Sequence, residues 1–267
     1  MSTQIHPTAV VSPKAEIGDG VVIGPFTVVE ADVVIGKGTS IGPHVYCADG
    51  ARIGENCRIH NGAVVATVPQ DLKFKNERTT FEIGDSTTIR EFCTLNRGTA
   101  EHMKSTVGSN CLLMAYVHVA HDCQIGDNVI LANSVQMGGH VTIEDWVVIG
   151  GVTAIHQFAS IGRHTMVGGH FRVSKDVPPY ILAGGDPLTF EGLNVIGLRR
   201  RGFSNETLES LTHAYHILYQ SKLNVSQGIQ KIKEEMKVTP EVQQLLSFVE
   251  RSERGIITVH SHESKHS

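Results

Sequence analysis

The fold is decided by residues 107–143, which read VGSNCLLMAYVHVAHDCQIGDNVILANSVQMGGHVTI. An apolar residue stands at every sixth position of this stretch, from Val107 to Ile143. Stepping outward by six extends the series from Ile5 to Val173. Of its 29 positions 26 are apolar, where a chain that is 40% apolar would supply about 12 by chance. The three polar positions are Asp71, Glu77 and Glu101. Neither the 3.6-residue period of a helix nor the alternation of a half-buried strand produces this spacing.

The repeat resembles the hexapeptide-repeat, left-handed parallel β-helix family, in which three hexads make one triangular coil. The residue after each apolar position is often Gly, and the fifth residue of the hexad is usually small. The resemblance covers residues 5 to about 178. It implies that residue n lies beneath residue n+18, about 4.8 Å away. We therefore expect an all-β left-handed parallel β-helix, followed by a small α-helical C-terminal domain.

Two interruptions keep the phase of the repeat, so they are predicted to be loops that leave intact coils, at about 71–82 and 101–106. The repeat ends before Pro178 and Pro179, which cannot donate to a strand ladder. The predicted β-helix domain is 1–190.

The rest of the chain, 191–267, is predicted to be helical. A linker rich in Gly and Pro, at 183–187, precedes it. Ser204 is a suitable N-cap, and the apolar period after it becomes helical. Two shorter helices are predicted at about 229–236 and 240–249, and the polar end of the chain is expected to fray.

Composition excludes several function classes. The chain has 267 residues, a net charge of -4 and a sequence pI near 6.4. Such a charge gives no general attraction to nucleic acid or to anionic lipid, so we expect neither as a partner. No segment approaches the ~20 apolar residues of a membrane span, and no basic region leads into an apolar run at the N-terminus. We therefore predict a cytoplasmic protein without a membrane span.

The five cysteines include no CxxC pair. They stand at inward hexad positions, at Cys47, Cys57, Cys93, Cys111 and Cys123. We predict that they fill the core in a reducing compartment and form no disulfides.

The 18-residue spacing gathers polar residues on one face of the predicted coil. His121, Gly139 and Gln157 are 18 residues apart and should stack in one column. The other polar members of this predicted cluster are His118, Asp122, His140 and His156. A single histidine on a β-helix is usually solvated surface, whereas a cluster of this kind indicates a functional site.

The cluster suits acyl transfer. A neutral imidazole is a good general base near neutral pH, and the carboxylate of Asp122 can orient it or stabilise its charge. The backbone N–H of Gly139, one coil away, can face a developing oxyanion. The cysteines point inward and no G-x-S-x-G elbow is present, so the cluster lacks its own nucleophile. The pattern favours direct attack of a substrate hydroxyl on a thioester.

Two alternatives stay open. The γ-class carbonic anhydrases share the β-helix and bind zinc through histidines, two of them five residues apart. His118 and His121 are three residues apart, so we predict no metal. The second alternative is a non-catalytic β-helical scaffold. A decayed site should have lost some polar positions, and all of them are filled here.

Five motifs are more specific: QDLK at 70–73, HVAHDC at 118–123, GGHV at 138–141, AIHQF at 154–158, and GLN through RRGFS across 192–204. Together they resemble the acyl-ACP:UDP-N-acetylglucosamine O-acyltransferases of lipid A biosynthesis. The resemblance implies transfer of an R-3-hydroxyacyl chain from the phosphopantetheine arm of acyl carrier protein to the glucosamine 3-position of UDP-N-acetylglucosamine. It implies no resident cofactor.

The matched motifs imply residue roles. His121 takes the proton from the acceptor, Asp122 supports His121, and the N–H of Gly139 binds the thioester oxyanion. The residues implied to hold the nucleotide sugar or the carrier arm are Gln70, Asp71, Lys73, His118, His140, His156, Gln157, Asn194, Arg200 and Arg201. The alternative for the basic run 199–201 is a solvated stretch that opens a helix.

Further features follow from the resemblance. The family is trimeric with sites between neighbouring chains, so a homotrimer is expected. Gly169 matches the position at which the family measures the acyl chain, and the missing side chain implies an open groove for chains of about fourteen carbons or more.

Pro187 stands where the family carries a histidine, which leaves a nucleotide donor absent or replaced by Asp186. An acidic carrier protein needs a local basic patch. Its candidates are Arg163, Arg172 and Lys175. The exact chain length, and a 3-hydroxyl against a 3-amine on the acceptor, stay open.

Overall fold

The computed structural model describes residues 2–221 and 223–259. From Gln4 to Val173 the chain winds as a left-handed β-helix with three sides, each side a parallel sheet with one short strand per coil. The predicted fold class is confirmed. Most strands are two residues long because the chain turns a corner after each one, frequently at a residue with positive φ.

The sheets are numbered in the order in which the chain first visits them. The first sheet contains Gln4–Ile5, Val22–Ile23, Ser40–Ile41, Arg58–Ile59, Thr88–Ile89, Leu112–Leu113, Ile130–Leu131, Val148–Ile149, Met166–Val167, Ile181–Gly184 and Thr189–Leu193. The second sheet contains Val10–Val11, Val28–Val29, Tyr46–Cys47, Val64–Thr67, Thr94–Asn96, His118–Val119, Gln136–Met137, Ala154–Ile155 and Arg172–Val173. The third sheet contains Glu16–Ile17, Val34–Ile35, Ala51–Ile53, Thr80–Ile83, Lys104–Val107, Gln124–Ile125, Thr142–Ile143 and Ser160–Ile161.

The register follows the hexads. Gln4 pairs with Val22, as the 18-residue spacing predicts. Val64 pairs with Thr94, and Thr94 pairs with His118, because loops insert two further hexads and then one between successive strands of the second sheet. The phase of the repeat therefore survives both interruptions.

The loops are shifted relative to the prediction. The ends of the predicted loops 71–82 and 101–106 belong to the strands Thr80–Ile83 and Lys104–Val107, which pair with each other and continue the third sheet. The segments that leave the coils are residues 68–79, the first loop, and residues 97–103, the second loop. Both loops depart at the corner between the second and third sheets. They therefore lie on the same edge of the prism.

The interior is filled by the apolar residue of each hexad, such as Ile89, Leu113 and Leu131, which are fully buried. All five cysteines are buried, as predicted, and each is a free thiol in the structure. Burial raises the pKa of the Cys47 and Cys123 thiols to about 12, so both are neutral core residues at physiological pH.

The predicted linker at 183–187 is wrong, since it forms the turn of a β-hairpin. Its strands, Ile181–Gly184 and Thr189–Leu193, pair antiparallel, and the first of them also pairs with Met166–Val167. Gly and Pro are as typical of a tight turn as of a linker, and Gly185 takes a φ of +86° here. The boundary predicted at residue 190 falls inside the second strand of the hairpin.

Four helices occur among the described residues. They are α1 Val195–Arg200, α2 Asn205–Gln220, α3 Val225–Glu235 and α4 Pro240–Arg251. The last three match the sequence prediction, and Ser204 caps α2 by accepting a bond from the Thr207 N–H at 3.1 Å. Helix α1 is not predicted, so Arg199 and Arg200 end a helix rather than open one.

The helical part seals the last coil. The hydroxyl of Tyr215 donates to the Pro179 carbonyl at 2.5 Å, and that of Ser252 donates to the Asp176 carboxylate at 2.6 Å. Within residues 2–221 and 223–259, no helix has both the length and the apolar character needed to cross a bilayer. The segment 260–267, predicted to fray, lies outside the described residues.

Candidate functional site

A cavity of about 700 Å³ lies at the corner between the second and third sheets, beneath the two loops. Its walls come from three segments of the sequence that the hexad register brings together. Its lining includes Gln70, Asp71 and Lys73 of the first loop, Thr99 and Glu101 of the second loop, and His121, His140, Gln157 and Phe158 of three successive coils. The loops therefore form a wall over the predicted histidine column.

The predicted column of His121, Gly139 and Gln157 is confirmed by contacts at this corner. The N–H of His140 donates to the His121 carbonyl, and that of Phe158 donates to the Gly139 carbonyl, both at 3.0 Å. A Cβ on Gly139 would lie 2.7 Å from Nε2 of His121, so only glycine permits this approach of backbone to imidazole. No hydrogen bond from the Gly139 N–H occurs among the described residues.

His121 is held by its neighbour in sequence. Its Nδ1 lies 2.8 Å from Oδ2 of Asp122, whose side chain is completely buried. Thr99 of the second loop supplies two more bonds to that carboxylate, from its N–H at 2.9 Å and from its hydroxyl at 2.7 Å. Burial alone would raise the pKa of Asp122, but the bonds from Thr99 and His121 outweigh it and lower that pKa.

The negative charge of Asp122 determines which ring nitrogen of His121 carries the proton. An ionised carboxylate only accepts hydrogen bonds, so Nδ1 of His121 carries the proton and donates it to Asp122. Nε2 is then the basic nitrogen, beside Gly139. The His121 side chain is 16% exposed, enough to contact a ligand in the cavity. The pair has the geometry of an oriented general base.

His140 stands across the cavity corner from His121. The two rings meet edge to face at 5.0 Å between centroids, and His140 stacks on Phe158 at 4.5 Å. Its Nε2 is 3.7 Å from the Asp122 carboxylate, and its Nδ1 has no partner among the described residues. Burial lowers the pKa of His140, so its neutral form is favoured.

Two predicted members of the cluster are directed elsewhere. His118 lies on the second sheet, where its Nδ1 is 2.7 Å from the Thr94 hydroxyl, and burial lowers its pKa. Nδ1 of His156 lies 3.0 Å from the carbonyl oxygen of Gln157. Neither residue lines the cavity, so the prediction that all the polar members converge is too broad.

The C-terminal candidates line a second cavity, of about 810 Å³, on the outer face of the first sheet. Asn194, Arg200 and Arg201 meet apolar residues of that face there, Val148 and Met166 among them. In a three-sided coil, the first sheet is opposite the corner between the second and third sheets. One chain therefore does not bring these residues to His121.

Two of these residues have structural partners. The Asn194 side chain caps α1 by accepting from the Gly197 N–H at 3.2 Å, and it donates to the His164 carbonyl at 2.9 Å. The Arg201 guanidinium lies 5.1 Å above the Trp146 ring. These contacts fix the end of α1 against the β-helix. Arg200 is exposed.

The remaining candidates lie on the last coils. Gly169 is exposed at the corner between the first and second sheets, and a Cβ there would lie 3.0 Å from the Gly151 carbonyl oxygen. Arg172 and Lys175 are exposed, as a docking patch requires. Arg163 is instead paired with the Glu144 carboxylate at 3.4 Å, which removes it as a free positive charge.

Sequence reasoning identifies residues of the first loop but misses the contributions of the second loop and of Phe158. Thr99 fixes the Asp122 carboxylate, and Glu101 and Phe158 line the cavity, yet none of them is predicted as a site residue. Two groups also place metal-ligating atoms within 4.8 Å of one another. They are Glu101, His102 and His140, and His121, Asp122 and His140. The spacing of His118 and His121 in sequence gives no sign of either group.

The chain is similar to known proteins over nearly its whole length. Residues 176–257 match a family described as "Udp N-acetylglucosamine O-acyltransferase; Domain 2", and residues 2–31, 32–67 and 104–139 match "Bacterial transferase hexapeptide (six repeats)". An acyl-ACP–UDP-N-acetylglucosamine O-acyltransferase of Chlorobaculum parvum is 56% identical over 95% of this chain and 96% of its own. The one from Chlorobaculum tepidum is 57% identical over 91% and 93%.

Solved structures of UDP-N-acetylglucosamine acyltransferases superimpose on nearly the whole chain. A UDP-N-acetylglucosamine acyltransferase from Bacteroides fragilis superimposes with a TM-score of 0.94 at 47% identity, covering 95% of this chain and 100% of that one. The Francisella novicida enzyme superimposes with a TM-score of 0.94 at 36% identity, covering 97% and 95%.

Proposed function

Because the chain belongs to the acyl-ACP–UDP-N-acetylglucosamine O-acyltransferase family, we propose that it transfers an R-3-hydroxyacyl chain from acyl carrier protein to the glucosamine 3-hydroxyl of UDP-N-acetylglucosamine. The observation that carries the proposal is the oriented pair of His121 and Asp122 beside Gly139, in a cavity large enough for substrate groups. We place this reaction in the cytoplasm and assign it no resident cofactor.

His121 is the general base. Nε2 removes the proton of the acceptor hydroxyl as its oxygen attacks the thioester carbonyl carbon. The tetrahedral intermediate then expels the phosphopantetheine sulfur, and His121 returns the proton to that leaving thiolate. Asp122 stays ionised and stabilises the imidazolium that exists between the two transfers, as its three hydrogen bonds and lowered pKa favour.

Gly139 is the electrostatic partner of this base. Its N–H has no acceptor among the described residues and lies on the coil directly above His121. A backbone donor fixed beside the base can bind the oxygen on which negative charge develops, and one such donor is worth about 10²–10³ in rate. The exposed positions of Arg172 and Lys175 suit the acidic carrier.

We also propose that the active unit is a homotrimer, with each site built by two chains. The His121 cavity and the cavity of Asn194, Arg200 and Arg201 lie on opposite sides of one coil. They join into one site only if the corner of one chain faces the first sheet of the next. A contact between two different surfaces generates a ring when its rotation closes, and the family resemblance supports a ring of three chains.

The reaction is tested by incubating the protein with UDP-N-acetylglucosamine and acyl-ACPs of several lengths, followed by mass spectrometry of the product. A 3-amino analogue of the acceptor is run in parallel. Ester product from the 3-hydroxyl sugar is the expected result. Amide product alone would assign the acceptor to the amine, and no product from any acyl-ACP would contradict the reaction and favour a non-catalytic scaffold.

The shared site is tested by mixing chains. With UDP-N-acetylglucosamine well below the wild-type KM, His121→Ala and Arg201→Ala homotrimers should each retain no more than about a tenth of the wild-type rate. Refolding them together at equal amounts should restore about a quarter of the wild-type activity, because that share of interfaces joins an intact His121 to an intact Arg201. Activity no higher than that of the separate variants would contradict a site built by two chains.

Gly169 is proposed as the position that measures the acyl chain. A missing side chain leaves the groove open, and each methylene admitted is worth about 0.8 kcal/mol. We therefore expect a preference for chains of about fourteen carbons or more, which Gly169→Met shifts toward shorter chains. The comparison is made across acyl-ACPs of increasing length. An unchanged length profile in a folded, active Gly169→Met variant would remove this role.

A further inference from the structure

We propose that Glu101, His102 and His140 form an inhibitory binding site for a divalent transition-metal ion of the zinc type, at the mouth of the His121 cavity. Their ligating atoms lie within 4.8 Å of one another. Oε2 of Glu101 is 3.6 Å from Nε2 of His140. Bonds of about 2.0–2.2 Å in a tetrahedral zinc site hold neighbouring ligand atoms roughly 3.3–3.6 Å apart, so this pair already has the required separation.

One side of the site is rigid and the other can adjust. The His140 side chain is only 9% exposed and is fixed by its stacking on Phe158. Glu101 and His102 are exposed on the second loop, and the His102 ring already lies edge-on to His140 at 5.4 Å. Small side-chain rotations of these two residues suffice to complete three ligands. Water supplies the fourth position.

The neighbouring group of His121, Asp122 and His140 is a poorer site. The Asp122 carboxylate already accepts bonds from His121 and Thr99, and a metal there would have to break them. Glu101, by contrast, makes no side-chain hydrogen bond among the described residues, and its Oε2 lies 3.6 Å from Nε2 of His140. An incoming cation therefore displaces fewer interactions at Glu101 and His102.

A metal bound there opposes the reaction, a consequence that rests on the proposed function. It would bridge the second loop to His140, whose ring is 5.0 Å from that of His121. The bridge narrows the cavity, because Glu101 is part of its wall, and so hinders the access of substrate to His121. The ion is thus an inhibitor, not a participant in proton transfer.

Binding is tested first, without reference to activity. Zn²⁺ is titrated into the full chain in competition with a chromophoric chelator, and Co²⁺ absorption reports on tetrahedral ligation. His102→Asn is compared with wild type and with His213→Asn, a change at an exposed histidine of α2. The sequence also carries His260, His262 and His266, but any binding by these is common to all three proteins. The difference between proteins therefore isolates the site.

We expect wild type and His213→Asn to bind one more equivalent of zinc than His102→Asn, or to bind it at least tenfold more tightly. Glu101→Gln should weaken binding in the same way. Equal stoichiometry and affinity in His102→Asn and wild type would overturn the site. This holds even for a chain that lacks the proposed activity, so the two failures are distinguishable.

Inhibition is tested next. Zinc should reduce the acyltransferase rate of the wild type at least tenfold, and chelation should restore it. His102→Asn should keep the basal rate and lose most of the zinc sensitivity. Zinc binding that depends on His102 but leaves the wild-type rate unchanged would overturn the inhibitory role.

Discussion

A single residue both forms the corner and positions the base. Asp122 has a φ of +58°, a left-handed conformation that Asp and Asn tolerate better than most residues do. That conformation lets the chain turn, and it aims the carboxylate at His121 and Thr99. An aspartate at this position therefore both tolerates the left-handed backbone conformation and supplies the carboxylate that orients His121.

We expect His121→Ala to lower kcat by about 10²–10⁴-fold, the usual loss of a general base. The fold should survive because, among the described residues, the side chain hydrogen-bonds only Asp122 and otherwise packs against Gly139 and His140. Steady-state kinetics and a thermal melt check both points, with His44→Ala, an exposed histidine elsewhere on the β-helix, as the control. A folded variant within about threefold of the wild-type kcat would exclude His121 as the base.

A second histidine makes stability depend on pH. His164 stacks between Trp146 and Tyr180, with centroids 6.2 and 5.6 Å away. Burial, and then the charges of Arg201 and Arg163, lower the pKa of His164 to about 4. The unfolded chain titrates near 6.5, so it binds the proton first as the pH falls. Stability is complete above about 6.5 and declines toward pH 4.

His164→Phe should flatten that decline, because phenylalanine keeps the stacking and cannot be protonated. The contribution removed is at most about 3 kcal/mol, and solvent screening reduces it. His118 and His140, whose pKa values are also lowered, leave a residual slope in the variant. Melting temperatures between pH 7 and pH 4.5 measure the effect. Parallel curves for the two proteins would contradict the assignment.

At the scale of the element, helix α1 brings basic groups to the second cavity. Arg200 and Arg201 line it, while Arg199 is exposed and does not. A guanidinium bonds a diphosphate with charge-assisted hydrogen bonds worth about 1.5–3 kcal/mol each. Arg201, which lines the cavity, and Arg199, which does not, thus provide a matched pair of variants.

Arg201→Ala should raise KM for UDP-N-acetylglucosamine by roughly 10- to 100-fold and leave KM for acyl-ACP nearly unchanged. Arg199→Ala should change neither. A thermal melt accompanies the kinetics, because Arg201 also packs on Trp146. Equal rises in both KM values would show that the variant disturbs the whole site rather than nucleotide binding.

The elements differ in how far sequence determines them. The hexad period fixes which residues share a column, so the sequence alone is enough to align His121, Gly139 and Gln157. The loops have no such constraint, which is why the two bonds from Thr99 to Asp122 could not be foreseen. Helix α1 has six residues, too few for a helical period to stand out. The hairpin at 181–193 is mistaken for a linker because its turn has the same composition.

At the scale of the whole molecule, the three-sided section separates the two cavities. The loops occupy one edge of the prism, and helix α1 covers the opposite face. Sequence reasoning places both sets of residues in one site without specifying how chains meet. In the proposed trimer, the prism geometry would explain how they meet, since the first sheet of one chain would face the loop-bearing edge of the next.

The stacking of coils also determines how the molecule yields to a pulling force. The hydrogen bonds between coils run along the axis, so a force along the axis loads them one layer at a time, and coils should peel off singly. Each ordinary coil should release about 60 Å of chain. The coils that carry the first and second loops should release about 100 and 80 Å. Optical-tweezer traces of a single tethered chain would show these two longer steps among equal ones, whereas one all-or-none rupture would contradict the picture. In a force-extension trace, the edge of the prism that carries the two loops would thus be identified by the two steps that release more chain than the others.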